Sequence, residues 1–274
     1  MKLSPCANCT KGCCKQYLVT VTGYDAFVIA KELQLAPEQF LMSVPQKDPT
    51  IRGFYLDSSQ QRYDIALDKV GEDASGQPST DRACVFWVAF PSGVGRCGIY
   101  PYRPYVCQTY PAVLGHHTQN STYESSSLRR EDVLCAETDW RDGRLQETTW
   151  HNRLVEMYFE FDFYAILVAR WNHHVMHVKP KQMIPTITYY AYLMNMYTQL
   201  EPLRMQFEPQ TWVHFCQIWL KVTQAQLDPM LEPELINDVP GMEFLRKARE
   251  ILENCFSRDG LVSYQNVKPG ALHP

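Results

Sequence analysis

CANCTKGCC, residues 6–14, places four thiols within nine residues near the start of a 274-residue chain. Its spacing is C-x2-C-x3-C-C. Four more cysteines follow at Cys84, Cys97, Cys107 and Cys135, so eight of the ten lie before residue 136. Cysteines this dense in a turn-like stretch cannot all pack as core, and exposed thiols are a chemical liability. The first 140 or so residues therefore read as a scaffold that returns the second set of thiols to the first.

Composition narrows the alternatives. Apolar residues make up 45% and charged residues 20%, which suits a globular chain with a core. The formal net charge of −4 and the absence of a Lys/Arg block exclude an electrostatic footprint for nucleic acid. Glu156, Glu160 and Asp162 interrupt the longest apolar runs, so no membrane span is expected. MKLSPCAN lacks an apolar run before its first cysteine, which reads as no signal peptide and a cytoplasmic location. In that compartment structural disulfides are rarely maintained, and clustered cysteines point to metal or redox chemistry.

Along the chain, residues 15–21 are β-rich and read as a short strand. Thr22 and Asp25 fit a capping box that opens a helix over 23–34, with Phe27, Ala30 and Leu33 facing a core. Pro37 suits the first position of a further short helix. Residues 53–57 and 62–68 alternate as a hairpin, and 71–82 reads as a surface loop. CVFWVAF, residues 84–90, reads as a buried strand. Prolines 101, 104 and 111 argue against a regular helix over 96–111, leaving Cys97 and Cys107 on rigid irregular backbone. Residues 116–132 read as a polar surface loop. Helices are expected over 150–172, 186–200, 209–227 and 241–256, then a loose tail over 257–274.

The fold class is therefore α+β. A small irregular cysteine-cluster domain with short strands and helices, residues 1–146, precedes a mostly helical domain, residues 147–256. Cys216 and Cys255 fall on apolar helix faces, where cysteine acts as a small hydrophobe. The other eight, Cys6, Cys9, Cys13, Cys14, Cys84, Cys97, Cys107 and Cys135, are the candidate metal ligands. Four thiolates complete a tetrahedral zinc site or a cubane cluster, so eight suggest two centres or one with spare thiols. Adjacent Cys13 and Cys14 would point to opposite faces of an extended chain. They either serve two centres or include a non-ligand, and Cys14 is the more dispensable. Only Cys6 and Cys9 form a C-x2-C knuckle, and later thiols are separated by 12, 9 and 27 residues, unlike a zinc ribbon. Arg96 and Arg103, with Lys11 and Lys15, sit close in sequence to candidate ligands and could offset the negative charge of a cluster.

CANCTKGCC, Thr22-x-x-Asp25, Cys84-Val-Phe, Arg96-Cys97-Gly-Ile-Tyr100, Arg103-Pro104-x-x-Cys107-x-x-Tyr-Pro111 and Cys135 together resemble the YkgJ-type cysteine-cluster family of zinc- or iron-chelating domains. The resemblance covers about residues 6–140; one extra residue precedes Cys13 relative to the family's usual C-x2-C-x2-C-C. It implies a cytoplasmic metal or iron–sulfur protein. A flagellin lysine methylase carries a similar cluster, so an enzyme that modifies protein lysines is a further reading. No Gly-rich nucleotide loop and no radical-SAM cysteine triad accompanies it. The leading expectation is an iron–sulfur cluster, [4Fe–4S] with a possible second centre, in electron transfer, redox sensing or partner maturation. The alternative is a structural zinc centre, with a protein partner docking on the helical half.

Two further clusters invite a metal reading. His173 and His177 could share a helix face, as could Glu156 and Glu160, but the Glu-x-x-His spacing of dinuclear sites is missing. Exposed polar positions on an aromatic-rich helix account better for all four. His116 and His117 read as loop histidines, and the tyrosines at 189, 190, 192 and 197 as core and interface.

Overall fold

A computed structural model describes residues 13–46, 53–72, 78–91, 95–110, 112–115, 125–128, 148–225 and 228–255. Among the described residues the thiol-bearing part opens with α1 (Cys13–Gln16), a single turn closed by Tyr17 N–H donating to Cys13 O at 2.8 Å. Only the end of the expected 15–21 strand is extended. There Val21 N–H donates to Ile65 O, and Val19 O accepts from Leu67 N–H. Helix α2 (Gly23–Leu33) begins at the expected capping box, with Thr22 and Asp25 bonded reciprocally. It buries Ala26, Phe27 and Ile29, leaving Ala30 and Leu33 only partly covered. Gln34, at φ 54°, closes it in the left-handed region.

Strands β1 (Leu41–Pro45), β2 (Phe54–Tyr55) and β3 (Arg62–Leu67) form an antiparallel sheet in the order β1-β3-β2, which includes the expected hairpin. The expected surface loop at 71–82 is largely a ladder. There β4 (Lys69–Glu72) pairs with β5 (Pro78–Cys84) through a bulge. The expected buried strand over 84–90 is divided. Cys84 ends β5, and β6 (Trp87–Ala89) pairs with β7 (Gly95–Cys97) as a hairpin. Trp87 folds over Gly95 while Val88 and Phe90 stay exposed, so the apolar run covers a hairpin rather than filling a core.

The proline-rich stretch also forms more regular structure than expected. Cys107 lies on α3 (Tyr105–Thr109), a short helix that starts after Pro104 and ends before Pro111. Proline at a helix boundary sacrifices no intrahelical hydrogen bond, so the flanking prolines delimit this turn without breaking it. Ser125–Leu128 forms β9 against β8 (Ala112–Gly115), within the segment expected as loop. The expected tail at 257–274 lies outside the described residues.

Four helices follow: α4 (Thr148–Val178), α5 (Thr186–Arg204), α6 (Pro209–Gln224) and α7 (Val239–Cys255). Val155, Phe159, Phe163, Leu167, Trp171 and Val175 recur every fourth residue along α4, and all are buried. That row is the stripe a core-facing helix requires. Helix α5 is buried on nearly every side, with Tyr189, Tyr190 and Tyr192 deep in the core. Cys216 and Cys255 are buried in the same core, as expected.

The core runs continuously from the thiol-bearing part into the helices. The Phe54 ring stacks on Tyr189 at 3.9 Å between centroids. Trp171 Nε1 donates to Tyr55 O at 2.7 Å, and Asn172 Nδ2 donates to Gly53 O at 2.8 Å. Helices α4 and α5 thus grip the edge of the first sheet and support the thiol-bearing elements from behind. No helix among the described residues is long and apolar enough to cross a membrane.

Candidate metal centre

Cys13, Cys84, Cys97 and Cys107 come from four separate elements, α1, β5, β7 and α3, and are brought within electrostatic reach of one another. Cys84 is pushed up to about 11 by burial, with Cys97 and Cys13 adding to the shift. The backbone amide of Phe86 and the ammonium of Lys69 act against that shift. Burial also raises Cys107, and Cys13, Cys84 and Cys97 add to it. Cys13 is raised first by its hydrogen bond with Cys14 and then by burial; Arg103 opposes both. Thiols held this way stay protonated at neutral pH unless a cation joins them. Among the described residues no group of three His, Cys, Asp or Glu side chains is arranged to hold a metal ion. Cys6, Cys9 and Cys135 lie outside the described residues. The seven described cysteines are all thiols. Sulfur donors are the ligand type that zinc and iron–sulfur centres take, so this donor set fits either group.

Cys13 and Cys14 are consecutive residues of a helix, so their side chains diverge by about 100° rather than pointing to opposite faces. Cys13 acts electrostatically on Cys84 and Cys107, while Cys14, hydrogen-bonded to Cys13, packs against the hydrophobic core.

The basic residues sort differently from their order in sequence. Arg103 acts on Cys13 while its guanidinium stacks on Tyr100 at 3.8 Å and donates to Tyr100 O. The guanidinium of Arg96 lies over Phe90 at 5.5 Å. Lys69, which the linear pattern did not single out, faces Cys84 across the β4–β5 ladder and donates from Nζ to Lys15 O at 2.8 Å. The strand register creates that proximity, and nothing in the local sequence signals it.

Asp25 is the other residue whose role depends on the fold. Its Oδ2 accepts from Thr22 N and Oγ1, each at 3.0 Å, and its Oδ1 accepts from Tyr105 N at 2.8 Å. The capping carboxylate of α2 thereby fastens the first residue of α3, two positions before Cys107. Burial raises its pKa, although these hydrogen bonds and Arg204 favour the charged form.

Behind α3 lies a buried ionic network. Arg204 pairs with Glu160 and donates from Nη2 to Tyr105 Oη at 2.9 Å, and Tyr105 Oη donates to Glu156 at 3.3 Å. Arg204 stacks on Tyr24 at 3.8 Å and Trp212 at 4.3 Å. Glu156 and Glu160 are therefore buried, not exposed as expected, because α3 and α5 close over that face of α4. His173 and His177 are exposed, as expected.

Residues 5–136 match the family model CxxCxxCC, whose description reads “putative zinc- or iron-chelating domain”. No curated protein and no solved structure matches the chain. Residues 5–136, which carry the gathered thiols and make up just under half of the chain, are thus similar to the CxxCxxCC cysteine-cluster family.

Proposed function

We propose that the gathered thiols hold an iron–sulfur cluster, of the [4Fe–4S] type, serving electron transfer, redox sensing or maturation of a protein partner. The observation that carries this reading is the approach of Cys13, Cys84, Cys97 and Cys107 from four different elements. Four thiolates in one place repel one another, and a cation or cluster in their midst removes that penalty. Lys69 and Arg103 would offset the net negative charge that four thiolates leave on a cubane or on a zinc ion, so they support a metal centre of either kind. Cys6, Cys9, Cys14 and Cys135 remain candidate ligands for completing the shell or a second centre, with Cys14 the most dispensable. The helical half is the candidate surface for a protein partner.

Purification without oxygen, followed by metal and acid-labile sulfide measurement per chain, tests the reading directly. Iron with matching sulfide and a brown protein are expected; a colourless protein with stoichiometric zinc and no sulfide overturns it. Cys107→Ala removes the cluster and Cys216→Ala leaves it in place, since Cys216 sits in the helical core. Structural zinc is the second reading, because the family description names zinc beside iron.

A further inference from the structure

The last turns of α4 carry three histidines, His173, His174 and His177, remote in sequence from every cysteine of the thiol set. His173 and His177 are both exposed, and their rings lie parallel within 4° at 6.4 Å between centroids. Residues four apart share a helix face, which is the spacing that lets two imidazoles chelate one ion. An ion bonded to one nitrogen of each ring at ~2.0–2.1 Å needs ring centres about 5 Å apart. Exposed histidine side chains close the remaining gap of about 1 Å by rotating within their χ1 and χ2 wells.

The helix holds this spacing to its end. Lys179 N–H still donates to Val175 O at 3.0 Å, and Lys179, at φ 48°, then turns the chain away before Pro180. Unpaired carbonyls at a helix C-terminus favour a cation. Arg170 and Lys179 flank the pair and work against that attraction, so affinity rests on the ring nitrogens. His174, between the two, is half-buried. Among the described residues no third His, Cys, Asp or Glu completes a set of ligands, so an ion held by the pair would take its other ligands from water.

We infer that His173 and His177 form a second, solvent-open site for a divalent transition metal of imidazole preference, such as Zn2+ or Ni2+. This inference is independent of what the thiols hold. Its test is an equilibrium titration of the full chain with Ni2+, its thiol metal left in place, followed by NMR of the imidazole signals. One equivalent of Ni2+ should bind and broaden His173 and His177 selectively. His173→Ala and His177→Ala should each weaken that binding by at least about tenfold, because losing even an outer-shell partner of a metal ligand costs 10–100-fold. His214→Ala, an exposed histidine on α6, should leave it unchanged. Both pair variants alter exposed side chains, so the metal content of the thiol centre and the fold should match the parent. Ni2+ binding unaffected by either pair variant, or weakened equally by His214→Ala, overturns the site.

Discussion

Replacing Glu160 by Gln should change how stability depends on pH more than stability at any one pH. Glu160 is 1% exposed; Oε1 pairs with Arg204, and Oε2 has no hydrogen-bond partner among the described residues. Tyr197 Oη and Glu201 Oε2 share that condition and line the same small cavity. Burial pushes the carboxyl from 4.5 up to about 7, with Arg204 pulling it down and Asp25 and Glu156 pushing it further up. The folded chain therefore keeps a proton that the unfolded chain releases near its ordinary value. Between those two pH values the folded state binds more protons, so stability falls as pH rises. The contribution is complete below about 4.5 and lost as pH passes about 7. A shift of about 2.5 units corresponds to about 3 kcal/mol. Glutamine preserves the shape and the acceptor for Arg204 but cannot titrate. Urea unfolding of both proteins at a series of pH values from about 4 to about 8 should show Glu160→Gln gaining about 3 kcal/mol relative to the parent. Taking the difference between the two proteins cancels any shared pH dependence of the thiol centre. A stability difference that stays constant across that range would overturn this account, because it would mean that Glu160 titrates in the folded chain as it does in the unfolded one.

Two further substitutions probe how the thiols are held. Gly95→Ala places a methyl group within 1.6 Å of the Trp87 ring, so the ring must leave the β6–β7 hairpin that carries Cys97. Thermal unfolding should report a loss of about 1–3 kcal/mol, with metal content reduced in parallel; an unchanged melting temperature would show that Trp87 is not held there. Asp25→Asn keeps one acceptor but turns an amide group towards either Thr22 N or Tyr105 N, both of which are donors. The expected cost is about 1–3 kcal/mol for the donor left unmet. Because α3 is released, metal retention against a chelator should fall while Cys216→Ala retains the parent rate.

The capping box, the four long helices, the β2–β3 hairpin and the burial of Cys216 and Cys255 were all legible in the sequence. Each rests on local physics: cap chemistry, apolar periodicity of about 3.6 or 2, and turn residues. The thiol clustering was legible too, since cysteine density needs no geometry to be noticed. The β4–β5 ladder and the one-turn helix at Cys107 were not. Their local composition favours loop, and pairing with distant backbone decides otherwise. The CVFWVAF run misled for a related reason: an apolar stretch can fill a core or clothe a hairpin, and Trp87 closing over Gly95 makes it the second.

Residue type and close spacing are enough to single out the candidate sulfur donors and the cap-forming side chains. Tertiary structure decided which of them meet. Cys13, Cys84 and Cys97 all come within electrostatic reach of Cys107, while Cys14 packs against the core. Lys69 reaches the site through strand register, and Asp25 reaches α3 across 80 residues of chain. Glu156 and Glu160 look like solvated charges in the linear pattern and become a buried network once α3 and α5 close over α4. Burial, which depends on packing between elements distant in sequence, is what converts those ordinary carboxylates into groups with shifted proton affinity.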